Sequence, residues 1–322
     1  MAEKKRYLKY NSIKKTLSSL GGILIALTVM MLVLSFMTPH FLTMTNMTNL
    51  LRQITTNALL AFGMTFCLIC GEIDLSVGST LALSGVTVIV LLTQNIPLII
   101  AFPFTLLIGM LIGLINGGLV AYTGMPAFIV TLAMQSVIRG MAYIISGNGR
   151  VKTTNDSLFR FGNGSVGPIP VPTILVVILA VCLGILLART IFGKHVYATG
   201  GNRSAAVYSG INVNRVRILV FMLTGFLAAL AGIIIAARIN SGQASAGEGT
   251  EGDAIAAAVL GGVSFTGGRG TIVGTIIGVL VIGILNNGLN LLEVSYYWQL
   301  VCKGVIIMLA VYMDTVRRSK IQ

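Results

Sequence analysis

Long apolar stretches separated by short polar breaks fill the chain from about residue 20 onward. A helix needs about 20 apolar residues to cross the hydrocarbon layer of a bilayer. On that length the runs and breaks predict spans near 20–38, 54–71, 77–93, 97–121, 127–146, 171–190, 218–239, 254–266, 271–290 and 296–314. Two of these, 77–93 and 254–266, are short for a full crossing, and both follow Gly-rich polar stretches. The pattern predicts an all-α polytopic membrane protein, one domain over 1–322, with about ten transmembrane helices. Broken or short helices are expected near 72–93 and 251–266. Two long breaks remain, at 147–170 (Pro168, Pro170 and Pro172 at or just beyond its end) and at 191–217.

Composition excludes a soluble fold. Apolar residues make up 55% of the 322, while charged residues reach 10%, against roughly 25% in an average soluble protein. So few charges cannot coat a globule of this size. The first apolar run, Leu20 to Phe36, follows a basic stretch as a signal peptide would. It is longer than a typical signal core and no small-residue cleavage site follows, so a retained anchor is expected.

The net charge of +13 is read as topology. Six basic residues lie in the first fifteen positions (Lys4, Lys5, Arg6, Lys9, Lys14, Lys15) and three close the chain (Arg317, Arg318, Lys320). With both ends inside, fifteen basic residues fall in inner segments and five (Arg52, Arg150, Lys152, Arg160, Arg238) in outer ones, as the positive-inside rule requires. Residues 1–19 and 315–322 are then inner tails, 147–170 an outer loop and 191–217 an inner one. No basic patch with interleaved aromatic residues exists, so nucleic acid is excluded as a partner.

Enzymatic chemistry has no candidate. The chain lacks a G-x-x-x-x-G-K-[ST] stretch, a G-x-S-x-G elbow and an H-E-x-x-H pair. Gly247-x-Gly249-x-x-Gly252 matches a dinucleotide fingerprint only formally, because a membrane helix and not a strand precedes it. Cys67-Leu-Ile-Cys70 has redox spacing without a βαβ context and reads as small residues on a helix face. His40 and His195 are too few and too far apart for a metal site.

Two features recur in the same order. Glu72-Ile-Asp74 and Glu251-Gly-Asp253 each precede or open a short helix, and Asn116-Gly117-Gly118-Leu119 and Asn286-Asn287-Gly288-Leu289 each fall late in the next span. The intervening distances, 42 and 33 residues, differ. Opposite span directions would make 54–146 and 218–314 inverted copies, a common transporter plan. Gly109-x-x-x-Gly113-x-x-x-Gly117 and Gly274-x-x-x-Gly278 place small residues on one helix face, where backbones pack closely in lipid.

The polar residues inside these spans have open roles. Asp74 and Ser76 at the third span and Asp253 at the eighth are either helix caps or solute-path groups. Asn116, Gln135, Gln243, Asn286 and Asn287 are either path residues or interhelical glue. Arg139 and Lys303 lie within spans, in corresponding helices of the two proposed copies. They either snorkel, pair with an acid such as Glu293, or line the path. In the inner loop, Asn202 is a good helix N-cap and Gly210 a good stop. The short helix between them is either an ordinary surface helix or one that lies in a groove on another protein.

Several motifs together resemble one family. Gly71-Glu72-Ile73-Asp74-Leu75-Ser76-Val77-Gly78-Ser79 is similar to a signature of the sugar-specific ABC importer permeases. Gly200-Gly201-Asn202 through Ser209-Gly210-Ile211-Asn212 resembles their cytoplasmic coupling motif. Asp253 through Gly262 and Leu285 through Leu292 match as well, and the resemblance covers nearly the whole chain from about residue 20. Ribose-type members are the nearest match, with Glu72 standing where they usually carry Gly.

The resemblance implies a bacterial inner-membrane permease that works as a dimer, with a cytoplasmic ABC ATPase below each half and a periplasmic sugar-binding protein above. It implies no cofactor for this chain, since the partner ATPase uses ATP–Mg. Asn202, Arg203, Ser204, Ala205, Ala206, Tyr208, Ser209, Gly210 and Ile211 would form the coupling helix. The solute implied is ribose or a related sugar. The alternatives are another solute of the same family (allose, xylose, a signalling molecule) or an uncoupled channel or secondary transporter.

Overall fold

A computed structural model describes residues 21–319. The predicted basic tail of 1–19, with Lys4, Lys5, Arg6, Lys9, Lys14 and Lys15, lies outside the described residues, as does Lys320. Every apolar stretch read from the sequence carries a helix. They are α1 (Gly21–Met37), α2 (Met44–Cys70), α3 (Val77–Thr93), α4 (Leu98–Thr123) and α5 (Ala127–Ser146). After the outer loop come α7 (Val171–Arg189), α10 (Val213–Ile239), α11 (Thr250–Leu260), α12 (Ile272–Leu291) and α13 (Tyr296–Ser319). Six of them, α2, α4, α5, α7, α10 and α12, are long and apolar enough to cross a membrane.

Several helix ends differ from the sequence expectation. Helix α2 starts ten residues early, at Met44, because Thr43 caps it and Asn46 is buried against Asn287. Helix α10 starts at Val213, with the Asn212 side chain accepting from the Arg215 N–H. Helix α11 ends at Leu260, short of the expected 266, and a loop follows in which Gly262, Gly267, Gly268 and Gly270 take positive φ. Helix α13 continues past 314 to Ser319.

The two long breaks are more ordered than expected. The outer one holds α6 (Asp156–Asn163), whose Asn155 cap accepts from the Leu158 N–H, and three short strands. Strand β1 (Arg150–Lys152) pairs antiparallel with β4 (Ser241–Gln243), tying this loop to the end of α10. Strands β2 (Ser165–Val166) and β3 (Ile169–Pro170) pair with each other. The inner break holds α8 (Ile191–Gly201) and α9 (Arg203–Tyr208).

Helix α10 is the centre of the molecule, packed against α2, α3 and α4. Small residues make that packing possible. A Cβ on Gly109 of α4 would collide with the Gly225 carbonyl of α10, and one on Gly225 with the Gly109 carbonyl. Gly113 and Gly117 meet Phe221 and Ile218 in the same way. Such contact of backbones supplies dispersion energy that burial in lipid does not. Gly274 and Gly278 of α12 serve the same purpose against Gly261 and Ala257 of α11. Pairings recur in two sets. Helix α4 packs on α10 and α12 on α2; α3 touches α5 and α10, while α11 touches α13 and α2.

Candidate functional site

The α2–α3 connection stops one helix and starts another inside the bundle. Gly71 ends α2 in the left-handed region (φ 82°), with its N–H donating to Leu68 O and that of Glu72 to Cys67 O. Helix α3 then begins level with the middle of its neighbours. Leu81 and Gly85 meet Gly232 and Ala236, so α3 and α10 run the same way. Seven residues before Gly85, roughly 10 Å at helical rise, Gly78 is level with about residue 225, midway along α10.

At this start Asp74 is buried at 1% exposure. Its Oδ1 accepts from the Ser76 N–H (2.9 Å) and from Ser76 Oγ (2.6 Å), and Ser76 Oγ accepts from Asn116 Nδ2 (2.9 Å). Thr131 of α5 closes the turn by accepting from the Leu75 N–H (3.1 Å). Ser76 is the cap residue by position, but the capping acceptor is Asp74. A neutral chain of hydroxyl and amide thus links a buried carboxylate to α4.

The start of α11 is built differently. Gly249 is its cap residue, no side chain caps it, and Asp253 lies inside the first turn. Asp253 Oδ2 accepts from Asn286 Nδ2 of α12 (3.2 Å) and pairs with Lys303 Nζ of α13 (2.9 Å). Of the roles open to Lys303, the structure shows pairing, but with Asp253 and not with Glu293. Glu293 is exposed, turned out by a positive φ of 54° just past α12. In both starts a carboxylate is joined to an asparagine of the following long helix, and in both that asparagine's Oδ1 is buried without a hydrogen-bond partner among the described residues.

The other candidates separate. Asn287 points away from Asp253 and exchanges two hydrogen bonds with Asn46 of α2 (3.0 and 2.8 Å), which ties α12 to α2. Gln135 donates to Glu251 Oε1 (3.2 Å), and Arg139 Nη1 donates to the carbonyls of Ala244 and Ala246. Glu251 entered the sequence argument only as part of a repeated motif. Its spacing from Gln135, 116 residues, left no local signal.

A second region lies where α2 ends. Gly200 of α8 packs so closely on Ile69 that a Cβ would overlap its carbonyl. The Gly268 N–H donates to the same Ile69 carbonyl (2.8 Å), and Tyr197 Oη donates to Gly270 O (2.6 Å). Burial pushes the Tyr197 phenol above its ordinary range, so it remains a donor at neutral pH. Helix α9 follows at once. Asn202 Oδ1 accepts from the Ala205 N–H (2.9 Å), and Gly210 (φ 80°) ends the turn. Ala206 is buried while Tyr208 is 91% exposed, so α9 offers Arg203, Ser204, Ala205, Val207, Tyr208 and Ser209 outward.

One ion pair that sequence reasoning missed joins the two regions. Glu72 Oε1 and Arg217 Nε are 2.5 Å apart, with side chains only 11% and 4% exposed. Glu72 sits two residues before Asp74, and Arg217 two residues past the first turn of α10. Breaking such a pair leaves a buried charge without compensation.

Long apolar helices, two half-length helices that start within the bundle, and polar groups gathered at those starts define a polytopic membrane protein of the solute-permease type. The chain belongs to the family described as the branched-chain amino acid transport system / permease component, which it matches over residues 46–311. It is 47% identical to the ribose import permease protein of Bacillus subtilis (strain 168), covering 91% of this chain and 92% of that one. The ribose import permease protein of Escherichia coli (strain K12) is 44% identical, over 90% and 92%. An L-arabinose ABC transporter permease protein of Azospirillum brasilense is 39% identical, over 93% and 88%. No solved structure matches the chain. The protein is therefore a transport component and not an enzyme.

Proposed function

We propose that this chain is the membrane permease of an ATP-driven importer that moves a monosaccharide, ribose or a closely related sugar, into the cell. The observation that carries this reading is the 47% identity, over nine tenths of both chains, to a ribose import permease protein. The sugar follows those relatives; the 39% identity to an L-arabinose permease makes a different pentose the second reading.

The chain crosses the bacterial inner membrane ten times, two of the crossings completed by the half-length helices α3 and α11 together with the non-helical segments before them; both termini lie in the cytoplasm, and 54–146 and 218–314 are inverted repeats. Exchanging α2–α5 for α10–α13 carries α4 on α10 into α12 on α2, and α3 on α5 into α11 on α13, which supports the repeat. The permease works as a dimer, with a cytoplasmic ATPase under each copy and a periplasmic sugar-binding protein above.

Transport follows from how the two regions are joined. Helix α9 docks in the cleft of the ATPase through its exposed face, Asn202 to Ile211. Closure of the ATPases moves α9 and with it α8, which bears directly on the end of α2 and on the 262–270 loop. Those two segments lead into the connections before α3 and α12. The Glu72–Arg217 pair carries the same motion from the base of α10 to the turn holding Asp74 and Ser76. Shifting the half-helix starts opens the path on one side and closes it on the other. No covalent step occurs in this chain.

The test is uptake of labelled ribose into proteoliposomes holding the permease, its ATPase and the binding protein. Accumulation that requires ATP on the ATPase side is expected. Uptake that proceeds without ATP, or that is driven by an ion gradient, would replace this reading with a channel or secondary transporter.

A further inference from the structure

Between β4 and α11 the backbone runs without helical structure from Ala244 to Gly249. It follows α3 toward the middle of the bundle, with Gly242 against Val86 and Gly247 against Gly78. Non-helical backbone at such depth persists only where it is packed in protein or borders water. One side of this segment is packed on α3 and α5, and the other exposes Ser245, Glu248 and Gly249. Lipid is a poor neighbour for an exposed carboxylate at this level, so this face borders an aqueous space.

Four polar side chains meet there. Glu251 lies with Oε2 against Gly78, in the first turn of α3, and its Oε1 accepts from Gln135 Nε2 (3.2 Å). Arg139, one turn beyond Gln135 on α5, holds the segment through its Nη1 bonds to Ala244 O and Ala246 O, and feels the charges of Glu248 and Glu251. Two atoms of the cluster are left over. Glu251 Oε2 and Arg139 Nη2 have no hydrogen-bond partner among the described residues.

We propose that Glu251, Gln135 and Arg139 form a hydroxyl-binding subsite of the translocation path, specific for a neutral polyol. This rests on the reading of the chain as a sugar permease and assigns the groups that touch the sugar in transit. A hydroxyl both donates and accepts, so neighbouring hydroxyls match an ionised acceptor set beside a fixed guanidinium donor. Two carboxylates around one guanidinium repel an anionic solute, and a purely apolar solute leaves those charges unsatisfied.

The experiment uses the complete reconstituted importer and measures ribose moved per ATP hydrolysed, at saturating ribose. Glu251→Gln keeps the size and one acceptor but removes the charge, and Gln135→Ala removes the amide that orients it. Each is expected to lower the ratio about tenfold, the loss of one charge-assisted hydrogen bond. The ribose concentration giving half-maximal uptake stays as in the wild type, since the binding protein captures the sugar. Wild-type ratios in Glu251→Gln overturn the proposal. If Glu251→Gln does not assemble with its ATPase, Gln135→Ala decides, and a wild-type ratio there overturns it equally. A wild-type complex that hydrolyses ATP with its binding protein present but moves an amino acid and no sugar would instead refute the functional reading itself.

Discussion

The starts of α3 and α11 occupy corresponding places in the two halves of the chain, yet they hold their carboxylates by different means. Asp74 is satisfied by its own turn and by a neutral relay through Ser76 to Asn116. Asp253 depends on an amide and on Lys303, an ion pair that reaches across to α13. The first start is self-contained, while the second is only as stable as the contact between two separate helices. A motion that parts α11 from α13 must separate charges, whereas one that shifts α4 from α3 exchanges ordinary hydrogen bonds. By that contrast the α11 start is the stiffer of the two and the α3 start the easier one to remodel.

The largest expected effect comes from breaking the charged start. Lys303→Met leaves Asp253 buried without its cation and should destabilise the protein by about 2–4 kcal/mol, somewhat below the full cost of breaking a wholly buried pair because Lys303 is partly exposed. Adding Asp253→Asn should recover most of that loss. Thermal unfolding in detergent checks both, and equal stabilities for the single and double variants would show the pair to be idle.

The neutral start should respond less. Asp74→Ala removes both acceptor bonds at a cost of about 2 kcal/mol, while Asp74→Asn keeps an acceptor for the Ser76 N–H and costs about 1 kcal/mol or less. Undiminished ribose uptake by Asp74→Asn would assign the carboxylate to structure alone. Ser76→Ala, which cuts the relay to Asn116, should cost about 1 kcal/mol.

The smallest stability effect is expected at the exposed face of α9. Ala205→Glu should leave the stability within about 0.5 kcal/mol of wild type, whereas Ala206→Glu, at a buried position, should lower the melting temperature clearly. If both melt alike, α9 is not seated as described.

Local signals made much of this legible before the fold was known. Apolar runs placed the helices, and Asn202 and Gly210 marked both ends of α9, because caps and left-handed stops act within four residues of sequence. The shortness of α3 and α11 was readable from the Gly-rich polar stretches before them. What escaped was set by long-range pairing. Strand β1 is stabilised by β4, about ninety residues away. The early start of α2 depends on Asn287 receiving Asn46. For Lys303 the sequence left snorkelling, pairing with an acid such as Glu293 and lining the path all open; the acid it meets is Asp253, fifty residues distant, because α13 packs on α11. The Glu72–Arg217 and Gln135–Glu251 contacts likewise had no local trace. Separation along the chain, more than residue type, decided which site residues stayed hidden.

The central claim is that energy enters through α9 and that this chain transports without chemistry of its own. Ribose uptake and ATP hydrolysis measured together in proteoliposomes, for wild type and Ala205→Glu at equal ATPase content, test it most directly. The account predicts that Ala205→Glu loses ATP-driven uptake while the permease stays folded and inserted. Uptake by Ala205→Glu at the wild-type rate, with the same ATP demand, would contradict it.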